Sequence, residues 1–435
     1  MKQILILSFY YTPDLCAGSF RAAALIEALQ PLAKSQNMHI DLITTMPNRY
    51  HHFIMDAKEY EEGDHLSIYR IPLPSHQSGF IDQARAFKHY FFRTQKLIKS
   101  KKYDCVFATS SRLFTAFLGA IVARRTKSPL FLDMRDIFTD TMDSILPFYL
   151  RLFFLPIFKQ VERFTLKRAS VLNLVSPGFT DYFLPKIKSS CRVLQISNGV
   201  DACFKDIANY ETNDSIQHGN TFDVDSVTHS EDAHETLYST RNKRSTIRVL
   251  YAGNIGSGQG IEKIIPPIAS YFLANEGAHD SKRVIFRIIG SGGKLNTLTK
   301  ACEKLSNVEI ISPMSRAELI KEYQQADILF LHFDVYDAFK RVFPSKIFEY
   351  VMLGKPILAG VSGYSAEFLQ EHVPWASIFS PCNIKMSIEK LKMILITKHT
   401  DPTKTVEVFY QKYNRINLMQ RLSSEIKNIC EKSIY

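Results

Sequence analysis

One short stretch of this chain combines three groups suited to holding a phosphorylated ligand: Phe343-Pro344-Ser345-Lys346-Ile347-Phe348-Glu349-Tyr350. Proline suits the first turn of a helix, where its missing N–H would find no partner anyway. The amides of Ser345, Lys346 and Ile347 would then lie at the positive end of the helix dipole, a ready phosphate site. Lys346 adds a full positive charge. Glu349 lies one turn beyond Ser345 on the same face, where a carboxylate can accept two hydrogen bonds from vicinal ribose hydroxyls. Gly354 stops the helix, and Lys355-Pro356 leads into the apolar run at Ile357. Amides, a cation and a carboxylate at this spacing describe a site for a nucleoside diphosphate. They also describe an ordinary helix with a good start signal.

Glycine-rich loops supply the second kind of chemistry. Gly253, Asn254, Gln259 and Gly260 follow one apolar run, and Gly290 and Gly292 follow the next. Glycine lets backbone approach phosphate oxygens that a side chain would block. Earlier in the chain, Gly18 and Ser19 follow the first apolar run, with Arg21 just beyond. Ser110, Ser111 and Arg112 follow another, and Arg135-Asp136 a third. Strand ends of this kind bind ligands in open α/β sheets.

The elements that would hold these residues are legible as short, β-branched, fully apolar runs alternating with helical patterns. Strands are expected at Ile4–Ser8, Ile40–Thr44, Cys105–Ala108, Leu130–Asp133, Val171–Val175 and Val193–Ile196. A second set is expected at Arg248–Ala252, Ile285–Ile289, Val308–Ile310, Ile328–Leu331 and Ile357–Ala359. Unbroken apolar strands are buried on both faces, and their alternation with helices implies βαβ crossovers and doubly wound parallel sheets. At 435 residues the chain is long enough for two such α/β domains. The boundary is expected in the polar, acidic stretch 206–245, which buries too little apolar surface to offset its ordering entropy and reads as a flexible linker or insertion. His218, His229 and His234 within it could suggest a metal, but suit a polar loop better. The expected domains are therefore 1–205 and 246–402, with a helical tail at 403–435.

Composition narrows the partners. The seven cysteines are scattered without a CxxC pair, which points to a reducing, cytoplasmic compartment and no structural metal. The apolar start at Ile4-Leu5-Ile6-Leu7 is short and runs into Tyr-Thr-Pro-Asp rather than a cleavage site, so it reads as a strand. Of the net charge of +11, residues 1–205 hold about +10, from 27 Lys and Arg against 17 Asp and Glu. Two segments there, 85–102 and 145–168, mix basic and aromatic residues at helical spacing, as in helices that lie on an anionic membrane. A helix packed on a sheet with a solvated basic face gives the same pattern. No nucleic-acid-binding signature is present, so nucleic acid is not an expected partner.

Taken together, these segments resemble the family 4 glycosyltransferases. The stretch at 344–350 is similar to that family's P-S-K-hydrophobic-aromatic-E-Y segment, with Gly354-Lys355-Pro356-Ile357 following. Pro13, Gly18 and Arg21 resemble the first glycine loop. Asp133-Met134-Arg135-Asp136-Ile137-Phe138, Ser176-Pro177-Gly178-Phe179, Ser197-Asn198-Gly199-Val200-Asp201 and Tyr251-Ala252-Gly253-Asn254-Ile255-Gly256 resemble further segments in the same order, as do Ile289-Gly290-Ser291-Gly292 and Tyr323 with Ala326-Asp327-Ile328. The resemblance implies a GT-B fold, two Rossmann-like domains facing a cleft, with the donor on the C-terminal one and the acceptor on the N-terminal one. It places Glu349 on the ribose, and Ser345, Lys346 and Ile347 on the diphosphate of a nucleotide sugar, UDP-linked by preference. It also implies a retaining transfer without a metal or cofactor. The subgroup it resembles assembles bacterial O-antigen and capsule and includes transferases of the N-acetylfucosamine type. The acceptor would then be lipid-linked or a growing oligosaccharide, at the inner face of the plasma membrane.

Three departures from the family pattern bear on catalysis. The family's sugar-side glutamate corresponds to Arg341, its loop cations to Asn254 and Gln259, and its histidine to Arg135. The departing diphosphate is therefore expected to rely on Lys346, the helix amides, and Arg341 or Lys340, while Arg135 stabilises the diphosphate, holds the acceptor, or pairs with a neighbouring carboxylate. A sugar-nucleotide epimerase or a non-catalytic sugar-nucleotide-binding protein on this scaffold are the alternatives. A dehydrogenase is disfavoured by the absence of GxGxxG in the first loop.

Overall fold

The computed structural model describes residues 1–48, 57–74, 80–110, 113–205, 246–276, 282–397 and 401–432. The linker expected at 206–245, with its three histidines, lies outside them, as do Ser111 and Arg112.

The chain forms two compact units. The first comprises Met1–Gly199, Tyr336–Phe343 and Arg415–Tyr435, and the second Val200–Val335 and Pro344–Asn414. Each is a mixed α/β unit built on one sheet.

In the first unit the strands are β1 (Lys2–Leu7), β2 (Met38–Thr45), β3 (Tyr60–Gly63), β4 (Leu66–Ile71), β5 (Cys105–Thr109), β6 (Leu130–Met134), β7 (Ala169–Leu174) and β8 (Arg192–Leu194). Their order is β3-β4-β2-β1-β5-β6-β7-β8, and every pairing is parallel except β3 with β4. The helices include α1 (Ala17–Ser35), α2 (Phe80–Leu97), α3 (Leu113–Thr126), α4 (Phe138–Ile145), α5 (Phe148–Leu166) and the short α6 (Thr180–Phe183). Side chains alternate across a strand, so β1 sends Leu5 and Leu7 into one core layer and Ile4 and Ile6 into the other. Both layers are apolar, which is why the strand reads as an unbroken apolar run.

The second unit carries β9 (Thr246–Asn254), α7 (Ile261–Ala274), β10 (Arg283–Ser291), α8 (Leu295–Cys302), β11 (Val308–Ile311), α9 (Arg316–Gln325), β12 (Ile328–His332), α10 (Ser345–Met352), β13 (Ile357–Gly360), α11 (Tyr364–His372), β14 (Ala376–Phe379), α12 (Ile384–Ile396) and α13 (Thr403–Tyr413). Its parallel sheet has the order β11-β10-β9-β12-β13-β14. Counted from β9, that is 3-2-1-4-5-6, the doubly wound dinucleotide-fold order, with its reversal between β9 and β12.

The predicted strands are all present within a residue or two at most ends, but β3, β4 and β14 escaped the sequence reading. β3 is polar and mostly exposed, β4 is interrupted by Ser67 and Arg70, and β14 has only four residues. Two domain limits also differ. Residues 200–205 join the second unit, where the Val200 amide donates to the Tyr413 carbonyl at 2.9 Å. The tail is not one helix: it breaks at Asn414, whose ψ is 121°. Helix α13 stays with the second unit, packing Phe409 and Tyr413 on Phe348. The following α14 (Arg415–Lys432) buries Met419, Leu422 and Ile426 in the α1 side of the first core. One helical periodicity therefore spans two segments with different cores.

Candidate functional site

In the second unit the predicted loops meet at the sheet reversal. Gly253 and Asn254 end β9, and Gly290 and Ser291 end β10 in register beside them. The two backbones are so close that a Cβ on Gly290 would lie 1.9 Å from the Gly253 carbonyl oxygen, and one on Gly292 would lie 2.4 Å from that of Ile255. Glycine is thus required by backbone packing between loops, independently of any ligand. Asn254 donates through its amide to the Gln259 side chain at 2.8 Å, closing the first loop on itself. Gly260, with φ +59°, caps the start of α7, a left-handed position that favours glycine.

A buried histidine at the end of β12 ties this loop down. His332 Nδ1 is 2.6 Å from the Gln259 carbonyl oxygen, which can only accept, so Nδ1 carries the proton. Nε2 then accepts from the Cys382 amide at 2.9 Å. Burial drives its pKa down to about 4, against the smaller opposing pull of the Gln259 carbonyl and Asp334. Buried Asp334, next to the loop, accepts from Lys263 Nζ at 2.5 Å.

Helix α10 begins as the sequence implies, with one change. Pro344 is the residue before the first turn rather than within it, at φ −71° and ψ 143°. No side chain caps this end. The Ile347 amide is satisfied by the Pro344 carbonyl at 3.1 Å, and the Ile347 side chain is wholly buried in the core. Ile347 is therefore a core residue with its donor engaged, which leaves the Ser345 and Lys346 amides as the leading donors of the helix.

Glu349 is 7% exposed. Its Oε2 accepts from Tyr323 Oη at 2.9 Å and from Lys346 Nζ at 2.8 Å, and Lys346 also donates to Tyr323 at 2.7 Å. Arg316 Nη1 lies 4.0 Å from Oε1, while its Nη2 donates to Asp201 and its guanidinium covers the Phe204 ring at 5.2 Å. Burial pushes the Glu349 pKa up, but the charges of Lys346 and Arg316 and the hydrogen bonds from Lys346 and Tyr323 outweigh it, so the carboxyl lies below the ordinary glutamate value. The cluster is a balanced quartet, Glu349 and Asp201 against Lys346 and Arg316. Sequence reading found Glu349 and Lys346 but missed Arg316 and the role of Asp201. Ser315 and Glu318 form a capping box that marks the start of α9, so Arg316 reads only as an ordinary first-turn residue.

In the first unit, α1 starts after Cys16 with no side-chain cap. Gly18 gives Arg135 room: a Cβ there would be 3.2 Å from Arg135 Nη1. Arg135 Nε and Nη1 and the Ser19 hydroxyl are shut off from solvent and find no hydrogen-bond partner among the described residues. Burial and the neighbouring Arg21 charge push the Arg135 pKa down to about 10, against the pull of Asp133. Its amide is held by the Ser110 hydroxyl at 2.9 Å. Asp136 follows it, half-buried at the end of β6. Arg21, by contrast, is fully engaged. It grips Asp133 with two bonds of 2.9 Å and donates to the Ser197 and Ile196 carbonyls, a buried structural pair rather than a ligand group.

Arg341 also differs from expectation. It belongs to the first unit, where it donates to Asp140 at 2.6 Å, and its carbonyl accepts from the Ser176 hydroxyl. Lys340 pairs with Asp337 at 2.6 Å. Both cations are thus paired with carboxylates of the first unit. Among the described residues no group of three or more His, Cys, Asp or Glu could hold a metal ion, and no helix is long and apolar enough to cross a membrane.

Comparison with known proteins finds a sequence match in the second unit and a likeness of fold over nearly the whole chain. Residues 239–408 match the family model described as glycosyl transferases group 1. No curated protein sequence matches the chain. Among solved structures, sucrose-phosphate synthase from Thermosynechococcus elongatus superposes with a TM-score of 0.67 at 12% identity, over 99% of this chain and 100% of that one. Anabaena HepE in complex with UDP-glucose gives 0.61 at 13% identity, over 98% and 100%. WaaG, a glycosyltransferase involved in lipopolysaccharide biosynthesis, gives 0.56 at 14%, over 99% and 98%. At these identities the likeness establishes the fold. It is the GT-B fold.

Proposed function

We propose that this chain is a retaining glycosyltransferase that moves a hexosyl or acetamidodeoxyhexosyl group from a UDP-linked donor to a lipid-linked or growing polysaccharide acceptor in surface polysaccharide assembly. The observation that carries the reading is the α10 start: two leading amides, Lys346 and buried Glu349 within one turn, in the unit whose sequence matches group 1 glycosyl transferases. Solved HepE structures hold UDP and UDP-glucose, which supports the choice of nucleotide.

In this reading Glu349 accepts from the ribose hydroxyls, and its lowered pKa keeps it an acceptor at neutral pH. Lys346 is shared between Glu349 and the diphosphate, one turn away. The Ser345 and Lys346 amides complete the phosphate contacts. Transfer itself needs little covalent chemistry from the protein: the donor is positioned, and charge growing on the leaving diphosphate is met by fixed dipoles and Lys346. In the first unit, Arg135 and Ser19 at the α1 start, beside Gly18, offer a site for an anionic group. The absence of a metal requirement, the cytoplasmic location and attachment to an anionic membrane surface through the basic first half belong to the same proposal.

The test is nucleotide release from UDP-sugars with and without an undecaprenyl-diphosphate-linked sugar. The reading expects UDP formation that depends on the acceptor. Release that ignores the acceptor, or epimerisation of the donor alone, would contradict it.

A further inference from the structure

Helix α5 turns one flank to the first unit and leaves the other bare. Phe158 is buried and packs edge-on against Phe138 and Phe114, with centroids 5.2 and 6.1 Å away, and Phe154 stacks on it. Glu162 and Thr165 continue that flank. On the opposite flank Phe148, Tyr149, Leu152 and Phe153 are each about two-thirds exposed or more, and Ile157 is 47% exposed. Five large apolar side chains on consecutive turns form a contiguous patch, and such patches on a soluble protein mark an interaction site.

The polar residues of the same flank identify the occupant. With 3.6 residues per turn, Phe148, Leu152, Lys159 and Arg163 fall in one narrow stripe, with Pro156 and Lys167 alongside it. The stripe is apolar over the first half of the helix and cationic over the second. Lys159, Arg163, Lys167 and the following Arg168 are all exposed. Among the described contacts the acidic groups of α4 and α5 pair away from this stripe. Glu162, the sole acid of α5, is buried and bound to Lys186 and Tyr182. Asp143 lies 3.6 Å from Arg151, and Asp140 is bound to Arg341. A partner for this flank must accept bulky apolar groups at one end and carry negative charge at the other.

Helix α2, the other basic and aromatic segment, lacks this character. Its Tyr90 is fully buried, Phe87 and Phe91 pack on the core, and among its described side chains only Phe92 and Leu97 are exposed large apolar residues. It is an amphipathic helix with a solvated basic face.

We propose that α5 docks this protein on an anionic bilayer surface, with Phe148, Tyr149, Leu152 and Phe153 inserted at the headgroup–acyl boundary and Lys159, Arg163 and Lys167 on lipid phosphates. The inference rests on the reading of a lipid-linked acceptor and adds the element that meets the lipid. A second copy of the chain fits less well, because antiparallel pairing of two such stripes would set the apolar half of each on the cationic half of the other.

The test is flotation of the full chain with phosphatidylcholine vesicles and with vesicles containing phosphatidylglycerol. Wild type binds the phosphatidylglycerol vesicles and is released by salt. Lys159→Glu with Arg163→Glu weakens binding at least about tenfold, since each basic residue near such a surface contributes roughly 1 kcal/mol. Leu152→Ser with Phe153→Ser also weakens it, whereas Phe92→Ser with Arg93→Glu on α2 stays within about twofold of wild type. All of these variants should melt as wild type does and bind UDP unchanged, which separates failure of this proposal from failure of the donor reading. The proposal is overturned if wild type does not float with phosphatidylglycerol vesicles, if the α5 variants float as well as wild type, or if wild type sediments as a dimer that Phe153→Ser dissociates.

Discussion

Glu349→Gln removes the buried negative charge while keeping the side chain's volume. In the wild type the carboxylate receives hydrogen bonds from Tyr323 and Lys346, and Arg316 stands 4.0 Å away. A hydrogen bond to a charged group contributes about 1.5–3 kcal/mol, but Lys346 is a quarter exposed and partly screened by water, and Arg316 retains Asp201. The expected loss is about 2–3 kcal/mol, which in a unit of this size lowers Tm by about 4–12 °C. The pH dependence has a definite sign. Because the folded pKa of Glu349 lies below its unfolded value of 4.5, its contribution is fully present above that pH and fades as pH falls through the folded value. Wild type and variant should therefore differ most near neutrality and converge in acid. If the same carboxylate holds the ribose, UDP affinity falls about 10–150-fold, the equivalent of one charge-assisted hydrogen bond or two weaker ones. Thermal melts from about pH 3.5 to 7.5 and calorimetric titration with UDP read both effects. Lower Tm with unchanged UDP affinity would refute the ribose assignment. Unchanged Tm at every pH would refute the ion cluster itself.

Other outcomes can be checked alongside. His332 has a folded pKa near 4 against 6.5 unfolded, so wild-type stability should fall by up to about 1.4 kcal/mol per pH unit as pH drops between those values, and His332→Gln should flatten that slope in pH-dependent melts. Gly290→Ala should destabilise by about 1–3 kcal/mol and weaken UDP binding, because its Cβ would meet the Gly253 carbonyl; Gly293→Ala, with nothing within 4 Å, is the silent control in the same melting assay. Arg341→Ala and Asp140→Asn break the same 2.6 Å pair, so their losses of Tm and kcat should be similar; a rate loss confined to Arg341→Ala would restore Arg341 to the leaving diphosphate.

The sequence revealed most of what is dictated by burial and turn chemistry. Parallel strands buried on both faces read as apolar runs, and glycines that must sit backbone to backbone stand out at Gly253, Gly290 and Gly292. What escaped it depends on contacts distant in sequence. Arg21 and Arg135 are both arginines following a glycine loop or strand end, yet one is consumed by Asp133 and the other has two nitrogens without partners among the described residues. Arg341 lies three residues from Pro344, but the segment that carries it packs with the other unit. Arg316 comes 33 residues before Glu349 and has no local mark except its capping box. Ile347 shows a finer limit: whether a first-turn amide is open depends on whether the preceding carbonyl folds back, as that of Pro344 does. Similarly, α2 and α5 share a basic-aromatic pattern, and only the fold shows that α2 buries Tyr90 while α5 exposes Phe148, Tyr149 and Phe153.

The central claim is that the α10 start holds a nucleotide sugar. A structure of the protein with UDP bound tests it most directly. The account predicts the diphosphate on the Ser345 and Lys346 amides and on Lys346 Nζ, with the ribose hydroxyls donating to Glu349. A nucleotide bound elsewhere, with the Lys346–Glu349–Tyr323 contacts unchanged, would contradict it.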